Sequence, residues 1–454
     1  MAAESIPSRD AWRIKRPYIF LFLISFTIFL FSPVVEITDS RYTALLSECL
    51  LYHHTPALDV YSVPKPRLPG WGLGPQDVDV YELQYGRGGS ITYFCPHGSS
   101  VLSMPLVAIV NAFGISAATP AGKFSLYGEI LIERLVASIL MAVLTCVFFH
   151  SASLMLPVTW SCVAALGAAL GSQIWSTASR GLWNHTWLVL LVGLVVDSLL
   201  TSERRHTQLH PIWIGTLLAW GYFVRPTASP AILATTIYLL VTHRDCFFAY
   251  AATGAAWAAA FVGYWLWAFG TWIPLYYSPS YYPSRMDFHD LGKIGTGLQG
   301  LLISPSRGLF VYSPVVIFGL YLAVRYWRHV ERRGLALLAL AVVVTHVGLI
   351  SGNFWWDGGY CYGPRYLTEI IPWFVLLTIL GLDAMRRAQI GSHHRMEIAA
   401  GFFLLAISVA INGRGAWSFA GLDWNLSRAF VHRSALFDWR YPPFMAGLIE
   451  PPKD

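Results

Sequence analysis

Long apolar runs alternating with polar segments set the pattern of this chain. The first run, Tyr18 to Val35, follows Arg13, Lys15 and Arg16 and is about as long as a bilayer-spanning helix requires. No small-residue cleavage site comes after it, so it reads as a retained span with a cytoplasmic N-terminus. Further runs lie at Ile130–His150, Leu156–Ile174, Thr186–Leu200, Ile212–Val224, Ala231–Thr242, Phe248–Phe269, Leu309–Arg325, Leu335–Ile350, Ile370–Leu382 and Ile398–Ile411. Together they predict an all-α polytopic membrane protein of about eleven transmembrane helices. Val101–Phe113 is also apolar, but its short length and Pro105 favour a helix lying at the interface.

The connections fall into two kinds. Short ones carry Arg204, Arg205, Arg244, Arg328, Arg332, Arg333, Arg386, Arg387 and Arg395, which the positive-inside tendency places in the cytoplasm. The long ones alternate with them: Glu36–Ser100 continuing to Glu129, Gly270–Gly308, Ser351–Glu369, and Asn412–Asp454. The chain thus divides into a transmembrane domain, 1–411, whose first extracytoplasmic loop spans 36–129, and an extracytoplasmic tail, 412–454. Neither an internal repeat nor the inverted repeat of many secondary transporters is visible.

Composition sharpens this reading. Of 454 residues 55% are hydrophobic and 12% charged, with mean hydropathy +0.51, far more apolar than a soluble domain. The formal net charge of +6 comes without a basic run or nucleic-acid fingerprint, which excludes nucleic acid as a partner. The six cysteines have neither CxxC nor His-rich spacing, against a structural zinc site; a Cys49–Cys95 disulfide within the first loop stays open.

Unusual charges collect at the ends of spans on the long-loop side: Asp39 and Arg41 in "TDSRY", Arg180 and His185 in "SRGLWNH", Arg225 in "VRPTA", Arg307 in "SPSRGL", Asp357 and Arg365 in "WWDGGYCYGPRYL". Taken singly, an arginine at a span end snorkels to headgroups. Four of them on the face that should be poor in cations suit a bound phosphate, whose oxygens the guanidinium fork matches. A carboxyl at a span mouth becomes a usable general base when partly desolvated, unless a cation such as Arg41 pulls its pKa back down. Asp39 fits that task; the competing reading makes it the N-cap of a helix over Ser40–Tyr52.

The same segments, with "TYFCPHGSSVLSMPL" and "SPSRGLFVYSPV", resemble in order those of the GT-C superfamily of membrane glycosyltransferases, from Glu36 to about Leu382. More narrowly they resemble the bacterial branch related to protein O-mannosyltransferases and the lipid A aminoarabinose transferase. The resemblance implies a catalytic first extracytoplasmic loop in the bacterial inner membrane, a polyprenyl-phosphate-linked sugar donor, and inverting transfer to a hydroxyl on a glycan, lipid or protein. It places Asp39 at the catalytic acid and Arg307 and Arg365 at the donor phosphate, to which the gathering of charge adds Arg225 and Arg180. Arg41, Tyr42, His97, His185, His289, Asp357, Tyr360 and Tyr362 are the candidate substrate contacts. Many relatives have two adjacent acids in the first loop, whereas here Ser40 follows Asp39, which puts a shared-acid mechanism and a metal held by that pair in question. No cofactor is implied otherwise, and a divalent metal is not supported.

Three further features carry competing readings. Asp77 and Asp79 in "DVD" suggest a metal-binding pair, but a Gly/Pro-rich loop favours solvated acids. Tyr276 to Asp290, with Arg285, Asp287 and His289, suits sugar stacking or an interfacial aromatic belt equally. Glu129, Glu133 and Arg134 open a span as neighbours on one helical face. Two other classes compete with the enzyme. A flippase of polyprenyl-linked saccharide would place cations at mid-membrane, and a scaffold would ignore the loss of Asp39.

Overall fold

The computed structural model describes residues 9–66, 82–278, 290–388 and 393–452, and the chain is mostly helical. Helix α1 (Arg9–Phe31) leads through 32–42 to the short α2 (Thr43–Glu48). An antiparallel hairpin, β1 (Leu83–Tyr85) with β2 (Ile91–Tyr93), pairs Gln84 with Thr92 and precedes α3 (Gly98–Ala112). Then follow α4 (Leu126–Ser153), α5 (Val158–Leu170), α6 (Asn184–Arg205), α7 (Pro211–Val224), α8 (Ser229–Thr242) and α9 (Arg244–Phe269). The second half holds α10 (Leu291–Ile303), α11 (Leu309–Tyr312), α12 (Val315–Arg325), α13 (Arg333–Ser351), α14 (Ile371–Arg387), α15 (His393–Trp417) and α16 (Ala420–Trp424).

Among the described residues six helices are long and apolar enough to cross a membrane: α4, α6, α9, α13, α14 with the turn before it, and α15. Shorter apolar helices, α5, α7, α8, α12 and the Arg16–Phe31 part of α1 among them, lie beside these. The α14 segment is buried almost throughout because its sequence, IPWFVLLTILGLDAM, is apolar on every side and other helices surround it. α9 and α15 show most of their surface instead, with Phe248, Trp267 and Phe403 exposed, as suits a lipid-facing helix.

The two ends of the bundle differ in charge. At one end Arg204 donates to the Leu154 carbonyl (3.0 Å), Arg386 to that of Met155 (3.1 Å), and Arg387 pairs with Asp383 (2.8 Å) and Glu331. Arg204 and Arg386 cap the C-terminal end of α4, where cations oppose the partial negative charge of unsatisfied carbonyls. The other end gathers the first loop, the turn before α6 and the loop before α14.

The structure extends one helix beyond its expected end and decides two readings that the sequence leaves open. α15 runs past Ile411 to Trp417, because the Asn412 amide donates to the carbonyls of Tyr312 (2.7 Å) and Ser408 (2.9 Å). The boundary expected at 412 therefore falls inside a helix. Cys49 and Cys95 are free thiols, the first donating to the Ala57 carbonyl and the second to Glu82, so they form no disulfide. The expected helix from Ser40 starts at Thr43 instead, since Tyr42 adopts φ 74°, outside the helical region. His289, Arg285, Asp287, Asp77 and Asp79 lie outside the described residues, and Asp290 caps α10 through the amides of Gly292 (2.9 Å) and Lys293 (3.2 Å).

Candidate active site

The segment carrying Asp39 is fixed from three sides. α1 ends inside the protein, and its last carbonyls find donors there: Arg180 reaches Phe29 (2.5 Å) and Ser32 (2.8 Å), and Arg134 reaches Leu30 (2.6 Å) and Ser32 (3.1 Å). Beyond that cap the Glu36 amide donates to the Arg180 carbonyl (2.9 Å). Gly181 lies so close that an added Cβ would stand 2.1 Å from the Glu36 carbonyl oxygen, which is why glycine follows Arg180.

On the far side of Asp39 two buried acids of α4 take hold. Glu133 accepts from the Ser40 hydroxyl (2.6 Å) and the Leu182 amide (2.8 Å). Glu129, four residues earlier on the same helix face, accepts from the amides of Ala44 (2.8 Å) and Leu45 (2.9 Å) at the start of α2. Glu129 therefore caps α2 in the place the competing reading gave to Asp39, whose side chain is left to other partners. The Tyr93 hydroxyl of β2 donates to the Asp39 backbone carbonyl and accepts from Thr43 (3.1 Å), pinning the turn to the hairpin.

The Asp39 carboxylate, 30% exposed, stands 2.7 Å from an Nη of Arg365. Arg365 opens the turn before α14, and its guanidinium lies over the Trp183 ring (4.3 Å to the centroid) and near that of Tyr366 (5.1 Å). Such stacking contributes roughly 1–2 kcal/mol where water is excluded, and it orients the planar cation. Arg225, at the break between α7 and α8, meets Tyr366 at the same 5.1 Å. One aromatic ring thus adjoins both guanidiniums.

Behind them sits Glu369, buried, with Arg225 Nε at 2.7 Å, His185 Nδ1 at 2.9 Å and the Thr227 hydroxyl donating at 2.6 Å. His346 lies 3.7 Å away and hydrogen-bonds the Tyr366 carbonyl (2.9 Å). Among the described residues Arg225 hydrogen-bonds through Nε, to Thr227 (2.9 Å), and its ion pair with Glu369 uses Nε as well, which leaves the two Nη groups uncommitted.

The remaining candidates occupy a surrounding layer. Arg307 donates to the carbonyls of Asp357 (2.5 Å), Ser306 (2.9 Å) and Gly359 (2.9 Å) and to the Asn425 side chain (2.5 Å), joining the 357–365 loop to the tail. Asp357 pairs with Arg433 (2.8 Å), Tyr360 reaches Asp423 (3.2 Å), and Tyr362 donates to the Ile411 carbonyl (2.9 Å). Gly358, Gly359 and Gly363 adopt φ of 75°, 67° and 72°, a left-handed backbone that explains the glycines of "WWDGGYCYGPRYL". His97 is buried between the Tyr264 hydroxyl (2.7 Å) and the Tyr93 carbonyl (2.9 Å), so it ties the first loop to α9. Tyr42 packs into the core against Phe124 (4.6 Å), and Arg41 is half-buried in the same turn.

Of the residues expected from sequence, the structure thus joins Asp39, Arg365, Arg225 and His185 in one network. It also adds Trp183, Tyr366 and Glu369 to it, and buries the acids Glu36 and Glu82 in the same part of the fold. Trp183 and Tyr366 adjoin residues already singled out, in "LWNH" and "PRYL". Glu369 announces itself as a lone acid at the head of an apolar run. Glu82 shares no motif; it is buried, accepts from the Cys95 thiol (2.8 Å), and is pushed well above the usual carboxylate range by burial and by Asp39 nearby. Among the described residues no group of three or more His, Cys, Asp or Glu could hold a metal ion. A separate cavity among α5, α12, α14 and α15 is lined by apolar residues such as Gly167, Phe318 and Phe402 and touches none of these charges.

No family model matches the chain, and no curated protein matches it. Among solved structures it is similar to the crystal structure of ArnT from Cupriavidus metallidurans bound to undecaprenyl phosphate, at 14% identity and a TM-score of 0.47, covering 94% of this chain and 74% of that one. At that score and identity the likeness fixes neither residue roles nor substrate.

Proposed function

We infer that the protein is a membrane glycosyltransferase that moves a sugar from a polyprenyl-phosphate donor to a hydroxyl acceptor. Its spans number eleven, α1, α5, α7, α8 and α12 adding to the six long helices. The arginine-capped end faces the cytoplasm and the Asp39 end the far side. The observation that carries this reading is the 2.7 Å contact between a part-exposed carboxylate and a guanidinium clamped on Trp183, with Arg225 across Tyr366.

The chemistry follows from the charges. The acceptor hydroxyl oxygen attacks the anomeric carbon while Asp39 takes its proton. The carbon–oxygen bond to phosphate breaks, and its electron pair stays on the phosphate oxygen, where the cations meet the developing charge. Arg365 has donors enough to bridge phosphate and Asp39 together, and the free Nη edge of Arg225 supplies a second hold. Arg180 and Arg307 act at longer range, their N–H groups being engaged by carbonyls and neighbouring side chains.

The test is a purified sample in vesicles supplied with polyprenyl-phosphate sugars and candidate acceptors. Polyprenyl phosphate is released on transfer, Asp39→Asn lowers turnover about a hundredfold to ten-thousandfold, and donor binding persists. Scrambling of the donor across the bilayer without that release sinks the enzyme and favours a flippase.

A further inference from the structure

Glu36 stands first in the loop and takes no part in the reaction above. Its side chain is buried, 2% exposed, and among the described residues no side chain hydrogen-bonds either carboxyl oxygen, the Tyr362 backbone amide being the donor that faces it. A buried carboxyl without a side-chain partner is costly and rarely accidental. Its backbone is locked by the Arg180 carbonyl on one side and by Gly181 pressed against its own carbonyl on the other, so the side chain has little freedom to leave.

The groups facing it come from each neighbouring segment. Arg180 precedes α6, Arg307 follows α10, and Arg365, Tyr360, Cys361 and Tyr362 belong to the loop before α14. Arg180 and Arg307 have only neutral hydrogen-bond partners in direct contact, and Arg365 shares Asp39. Three cations and one contacting carboxylate leave a local excess of positive charge, with Glu36 as the nearby group able to change it. Burial pushes its carboxyl up to about 8, against the pull of Arg365, Arg180 and Arg307, so its charge changes close to neutral pH.

We propose that Glu36 sets the charge of the phosphate cradle: protonated, it leaves the surrounding guanidiniums to hold an anion, and ionised, it competes with that anion for them. This rests on the reading of Arg225 and Arg365 as the donor-phosphate site. Glu36 is thus a positioning residue, acting on the donor through the arginines.

The experiment measures affinity for the methyl diester of a polyprenyl phosphate, which carries one charge throughout about pH 6.5 to 9.5. Wild type and Glu36→Gln bind alike at the acid end. At the alkaline end the wild type is weaker on the order of tenfold, the effect of one charge roughly 12 Å away at an effective dielectric constant of about 20. Glu36→Asp keeps the divergence. Should Glu36→Gln not fold, calorimetry on the wild type at about pH 8, in buffers of different ionisation heat, registers uptake of a fraction of a proton on binding. Parallel pH curves for wild type and Glu36→Gln, or binding without proton uptake, overturn the role of Glu36 and leave the phosphate site standing. Absence of binding at every pH overturns both.

Discussion

Replacing Glu369 by Gln tests how Arg225 is held. The variant keeps the shape of the side chain but removes the charge facing Arg225 Nε at 2.7 Å and His185 Nδ1 at 2.9 Å, and it weakens the 2.6 Å bond from Thr227. Arg225 and His185 are buried and Thr227 is half-buried, so water replaces little of what is lost. Removing one partner of a buried, hydrogen-bonded pair costs about 3–5 kcal/mol, mostly because the other charge is stranded. Retention of one acceptor oxygen by Gln puts the expected loss near the lower bound, about 3 kcal/mol. Arg225→Met strands the acid instead, while the double variant strands neither, so the two losses should fall short of adding by about 2 kcal/mol. The assay is unfolding in mixed micelles for the wild type, both single variants and the double variant, with polyprenyl-phosphate affinity measured alongside. Affinity drops in Glu369→Gln because Arg225 loses its anchor. Additive losses across the cycle would refute the claim that this pair is an energetic unit, and unchanged affinity would refute the claim that Glu369 aims Arg225.

Other outcomes follow from the same geometry. Burial pushes the His97 imidazole down to about 4 from its ordinary 6.5, so the fold holds the neutral ring; its contribution is complete above about pH 6.5 and is lost as pH falls towards 4, about 2 kcal/mol by pH 5. His97→Gln should flatten that acid limb of the stability profile, and an unchanged profile would refute it. Asn425→Ala removes an acceptor of Arg307 and its own bonds to the Cys361 and Leu422 carbonyls, which should lower thermal stability by about 1–3 kcal/mol while the affinity for polyprenyl phosphate stays within about threefold. Glu129→Gln weakens the cap on α2, and protease sensitivity of the first loop should rise in step with a fall in turnover.

What the sequence discloses and what it hides divide along physical lines. Apolar run length is a local property, and the runs at Ile130–His150, Thr186–Leu200, Phe248–Phe269 and Leu335–Ile350 each lie within or close to one of the six long helices. The gathering of arginines into two classes is nearly as legible. Charge cannot rest in hydrocarbon, so every cation must sit at an end, and the alternation of short and long connections says which. The use to which each arginine is put is another matter. Arg180 and Arg365 look alike as span-end cations, yet one caps the carbonyls of α1 and the other faces a carboxylate. The difference depends on where α1 ends relative to the turn before α6, a non-local fact. The same holds for the acids. Asp39 is legible because it sits with Arg41 at the mouth of a span, whereas Glu129 and Glu133 are helix-face neighbours by sequence and only the fold sets them against Ala44 and Ser40. Glu36, three residues before Asp39, carries no such signal, since its distinction is burial without a side-chain hydrogen bond, and only packing can create that. Local periodicity therefore identifies the membrane framework and the rim where chemistry is affordable, while the assignment of each charged group to structure or to substrate is made by contacts between segments far apart in the chain.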